Sequence, residues 1–265
     1  MKAKFYRRLI VLPLIVLTAQ VFAPSAGATH PWANFHWART ANPLTLQLGR
    51  NLSGVWPSFL DATSSDWSTR AAEFSVTDVL DTTVVPGGSN AKRCAPTAGR
   101  VEVCNSGYGR NGWLGLASVW ASGSHVTQAT VKLNDFYFNT SPYNTAAWRN
   151  SVMCQEVGHT LGLTHNDEDF NTVNGTCMDY ANDPSLNQRP NKHDYEQLAV
   201  IYGGHVDGTN TAISSVGSSN SAAAALHGQD EWGRAVRFAS DGRPIVFERD
   251  LGRGERMFTF VRWAE

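Results

Sequence analysis

Residues 155 to 165 read Gln-Glu-Val-Gly-His-Thr-Leu-Gly-Leu-Thr-His, and this run limits the chain more than any other. On an α-helix, residues four apart share a face, so Gln155 and His159 point the same way with Glu156 one step round. Gly162 then ends the helix where a sharp reversal needs a residue free to adopt positive φ. The reversal swings His165 back towards the same face. Three protein donors around an open position, with a carboxylate beside them, is the arrangement of a catalytic zinc. Such a metal lowers the pKa of its water, and the neighbouring Glu takes the proton. The spacing therefore predicts His159, His165 and Gln155 as ligands and Glu156 as general base.

Gln155 is the unusual member. Its amide oxygen lies about as many bonds from Cα as the distal ring nitrogen of histidine, so reach is no obstacle. It is neutral, as a ligating imidazole is, but zinc prefers nitrogen and sulfur to an amide oxygen. A weaker donor lowers affinity and leaves the metal a stronger Lewis acid.

The second motif is Gly-Thr-Cys-Met-Asp-Tyr, residues 175 to 180. Its methionine follows His165 by 13 residues. A Met-bearing turn beneath the metal is the other mark of the metzincin zinc endopeptidases. With Glu156, His159, Gly162, His165 and Met178 in place, the chain resembles that family over roughly residues 36 to 205, departing only at Gln155. Tyr180 further resembles the astacin and serralysin branches, where the equivalent tyrosine binds the metal or stabilises the oxyanion. The run from Trp113 to Asp135 is similar to the sheet and edge strand of the matrixin-like members. The resemblance implies an α+β, zincin-like fold: a twisted mixed sheet, a long active-site helix above a cleft, and a small lower subdomain after Gly162. It implies a Zn²⁺ cofactor, hydrolysis of internal peptide bonds, and protein or peptide substrates. A second reading is a catalytically silent binding or inhibitory protein on the same scaffold.

The chain opens with Lys2, Lys4, Arg7 and Arg8, an apolar run to about Ala23, and Ala26-Gly27-Ala28. That order describes a secretory leader of residues 1–28. Its apolar run is shorter than the ~20 residues of a membrane-spanning helix. An exported protein free of the membrane after cleavage, and monomeric, is expected. Too few residues follow Ala28 to form an inhibitory propeptide before the domain at 29–206. Four of the 22 basic residues lie in the leader, which leaves 18 against 23 acidic, a net charge of −5. No basic surplus exists to bind nucleic acid.

Four cysteines allow three pairings of two disulfides. Cys154 immediately precedes Gln155 and Cys177 immediately precedes Met178, so a bond between them straps the Met turn to the active-site helix. Cys94 with Cys104 closes a short hairpin. His30, His36, His125, His193, His205 and His227 show no ligand spacing and read as surface or packing residues. Asp167-Glu168-Asp169 reads as a solvated acidic loop rather than a calcium site.

Alternation predicts strands at Leu44–Leu48, Val101–Val103, Trp113–Trp120 and Val126–Leu133. Helices are expected at Thr145–Leu161, at Tyr195–Tyr202, and as a short piece near Val55–Leu60 interrupted by Pro57. Residues 207–230 have linker composition, rich in Ser and Ala. Residues 231–265 read as a separate β appendage of three strands, dispensable for the main domain.

Overall fold

The computed structural model describes residues 30–169, 173–180, 182–207 and 229–264, besides Met1. The expected leader and most of the expected linker lie outside the described residues. No helix among the described residues is long and apolar enough to cross a membrane.

The architecture is mixed α+β, built on one large mixed sheet. Its strands are β1 His36–Trp37, β2 Leu44–Asn51, β3 Leu80–Pro86, β4 Val101–Ser106, β5 Trp113–Ser122, β6 His125–Asn134, β7 Arg234–Phe238, β8 Pro244–Gly252 and β9 Glu255–Trp263. Across the sheet they lie β3-β2-β4-β6-β5-β9-β8-β7, with β1 pairing on β6. The pairs β2–β3, β2–β4 and β4–β6 are parallel, and β5 runs antiparallel to β6.

Among the described residues, four α-helices accompany the sheet: α1 Trp56–Glu73, α2 Asp135–Phe138, α3 Ala146–Thr160 and α4 Lys192–Tyr202. Pro57 does not interrupt the first of them. It sits in the first turn, where its missing N–H has no intrahelical partner to lose, and the helix runs for 18 residues. Thr145 starts α3 by accepting the Trp148 N–H on its hydroxyl, and a reciprocal Asn191–Asp194 capping box starts α4. α3 packs on β5, β6 and α1. Every residue from Ser151 to Thr160 is buried, including Gln155, Glu156 and His159. Polar side chains buried on a helix cost free energy unless something engages them.

The last three strands correct the reading of a separate appendage. β9 pairs antiparallel with β5 from Trp113↔Trp263 to Ser122↔Glu255, so the tail continues the main sheet. Trp232, Ile245 and Phe260 are fully buried in the same core as Leu114 and Val157. β5 therefore has neighbours on both sides, β6 and β9. The physical reason is visible in its composition: Trp-Leu-Gly-Leu-Ala-Ser-Val-Trp-Ala carries no charge, and an exposed edge of that kind is an aggregation hazard that proteins cover.

Candidate active site and its covering strand

α3 carries Gln155, Glu156 and His159 to the middle of the sheet. At its end Gly162 takes φ +103°, and a Cβ there would meet the Phe35 carbonyl oxygen at 2.8 Å. Only glycine fits both demands. The chain doubles back, and His165 Nε2 comes to 3.1 Å from His159 Nε2. Two nitrogens bound at ~2.0–2.1 Å to one tetrahedral zinc lie roughly 3.3 Å apart, so this spacing suits a shared ion. His159 Nδ1 lies 2.9 Å from the Leu163 carbonyl oxygen, to which it donates. That contact fixes the tautomer and leaves the Nε2 lone pair for a ligand. Burial pushes the His159 imidazole down to about 3 and His165 well below its ordinary value, so both rings are neutral.

Gln155 donates its amide nitrogen to the Asp179 carbonyl oxygen at 3.3 Å. The amide oxygen is thereby the atom left for a metal. Glu156 is fully buried, and its carboxylate has the Ala117 backbone and the Arg262 charge beside it rather than a side-chain hydrogen bond. Burial raises its pKa well above the usual carboxylate range, opposed in part by those two neighbours. It lies against β5, where a Cβ on Gly115 would meet its Oε1 at 2.7 Å. A buried acid so weakly held is expensive and is characteristic of reactive sites.

Below the helix, Met178 is fully buried and its sulfur packs where a Cβ on Gly158 would stand. Its N–H donates to Thr176 Oγ1 at 3.0 Å, and the Thr176 hydroxyl donates to Asp194 of α4. Disulfides join Cys154 to Cys177 and Cys94 to Cys104, so the Met turn is strapped to α3. The structure thus brings together Gln155, Glu156, His159, His165, Met178 and Tyr180. In the acidic loop, Glu168 forms an ion pair with Arg237 at 2.6 Å.

Tyr180 engages the tail. Its hydroxyl donates to the Val261 carbonyl oxygen at 3.2 Å and accepts the Trp263 N–H at 2.8 Å. The Arg262 guanidinium sits 4.1 Å above its ring. Burial raises the phenol pKa to about 12, against the lowering charge of Arg262. Two residues earlier, the Phe260 ring stacks on His159 with centroids 4.3 Å apart and planes 11° from parallel. Trp32 holds Phe258 and Phe260 edge-on from the other side. An extended segment of the chain itself therefore crosses the His159–Tyr180 site. Phe260 and Arg262 had no sequence signal as site residues. The uncharged β5 was the one clue that a further strand lay beside it.

No protein-family model matches this chain, and no curated protein matches it as a relative.

Proposed function

We propose that the protein is a secreted zinc-dependent endopeptidase of metzincin type, kept latent by its own C-terminal strand. The carrying observation is the pairing of His159 and His165 Nε2 at 3.1 Å, one helical turn from the buried carboxyl of Glu156. The donor set fits zinc: two neutral imidazoles whose Nε2 atoms face each other, and the Gln155 amide oxygen as a weaker third ligand. Zinc bound there supplies Lewis-acid polarisation and a water of lowered pKa. Glu156 takes the proton from the attacking water and passes it to the leaving amine. The Tyr180 hydroxyl, once released from the tail, donates to the developing oxyanion. β5 binds the substrate as an added antiparallel strand, the position β9 holds in this structure.

The covering strand also favours the second reading, a silent scaffold whose cleft never opens. The two part on one experiment. Phe260→Ala in the full chain uncovers His159. With zinc, it should hydrolyse casein, and Glu156→Gln in the same background should stop hydrolysis while leaving zinc bound. An opened chain that holds zinc yet cleaves nothing would establish the silent reading.

A further inference from the structure

A second group of metal-ligating side chains lies away from this site. Three of its members belong to the histidines that read as surface or packing residues. His36 on β1 stands in register opposite His125 on β6. His205 and Asp207 follow the end of α4. His36 Nε2 lies 3.2 Å from Asp207 Oδ1, His205 Nε2 lies 3.3 Å from the same oxygen, and the two nitrogens are 3.4 Å apart. These three donor atoms form one close group. His125 Nε2 approaches the same oxygen at 3.4 Å.

The His36 Nδ1–H donates to the Asn34 carbonyl oxygen at 2.6 Å. That contact turns the His36 Nε2 atom towards the Asp207 carboxylate and the His205 ring, with which it is within hydrogen-bond distance. The other carboxylate oxygen, Oδ2, is occupied by Arg39, whose Nη1 donates to it at 2.9 Å and whose backbone N–H donates at 3.3 Å. Arg39 also donates to the His205 carbonyl oxygen at 2.6 Å, and the Asp207 N–H donates back to the Arg39 carbonyl at 2.9 Å. Partners that orient the ligands this way are usual around bound metals. The donor atoms of His36, His205 and Asp207 Oδ1 converge at 3.2–3.4 Å, near the roughly 3.3 Å separation that ligands of one tetrahedral ion show.

We propose that His36, His205 and Asp207 bind a zinc ion. Imidazole-rich donors with one carboxylate suit zinc rather than calcium or magnesium. The group lines a surface cleft of about 420 Å³, so an ion reaches it from solvent. Three protein ligands and a water complete the tetrahedral sphere. The ion joins β1 to the chain leaving α4.

The test uses the full mature chain, stripped of metal and titrated with zinc alone. His159→Ala/His165→Ala isolates the second site. That background should bind one zinc, and its Tm should rise with added zinc because the ion binds the folded state only. Adding His205→Ala should remove both the bound zinc and the Tm rise. His205 is half-exposed, so its truncation opens no cavity. A background that binds no zinc, or binds it equally with and without His205, overturns the proposal. Should the double variant fail to fold, wild type is compared with His205→Ala, which should hold one zinc fewer; equal stoichiometry overturns it.

Discussion

In the proposed zinc site, Gln155 is the ligand expected to set the affinity. Its amide nitrogen is committed to the Asp179 carbonyl, so a metal contact falls to the oxygen. In the opened Phe260→Ala chain, Gln155→Ala should weaken zinc binding at least about tenfold and lower hydrolysis with it, on the scale of losing a metal-site partner. Gln155→His should tighten binding, because it restores a nitrogen donor at the same reach. Competitive titration against a zinc chromophore reads both, and equal affinity for Gln155→Ala and the parent would exclude the glutamine as a ligand. Gly115 sets a different limit. A methyl there meets Val152 Cγ1 at 2.6 Å and Glu156 Oε1 at 2.7 Å. Gly115→Ala should displace the Glu156 carboxylate, cost ~1–3 kcal/mol in stability, and reduce hydrolysis with zinc content unchanged. Activity equal to the parent would show that Glu156 tolerates the shift.

The elements differ in how far local chemistry announces them. α3 and its turn were legible because each signal lies within a few residues: Thr145 at the cap, polar spacing of four, glycine at the reversal. Both disulfides were legible from the motif neighbours of Cys154 and Cys177. β3, Leu-Asp-Thr-Thr-Val-Val-Pro, escaped because its side chains are mostly half-buried or exposed and follow no strict alternation. β9 was legible as a strand but not as a partner of β5, since pairing across some 140 residues leaves no local trace. The His36–His205–Asp207 group was missed for the same reason: its members come from distant segments. The strap between α3 and the Met turn carries its own prediction. Cys154→Ser/Cys177→Ser frees a loop spanning 23 residues and should cost ~3 kcal/mol by chain entropy. Urea unfolding measures it. A loss under ~1 kcal/mol would mean that buried Met178 and the Thr176–Asp194 contact hold the turn without the strap.

At the scale of the whole molecule, the tail completes the core and, in the proposed function, covers the site, and these two roles pull a single substitution in opposite directions. Phe260 is fully buried, stacked on His159 and flanked by Trp32. Truncating a buried phenylalanine costs ~3–5 kcal/mol. The Phe260→Ala chain should therefore unfold at lower urea concentration than wild type, although the tail read as dispensable from sequence. The same truncation removes the ring that covers His159. It should weaken the β9 register against β5 enough for a substrate strand to compete, so casein hydrolysis should rise from background. Phe247→Ala, on β8 and packed against Trp232 rather than the histidines, is the control. It should lose stability by a comparable amount through the same kind of cavity and leave the cleft covered. Lower stability with gained hydrolysis in Phe260→Ala alone identifies β9 as the latency element. Hydrolysis gained equally in both would trace activity to general loosening of the tail, and hydrolysis in wild type would show that β9 yields to substrate unaided.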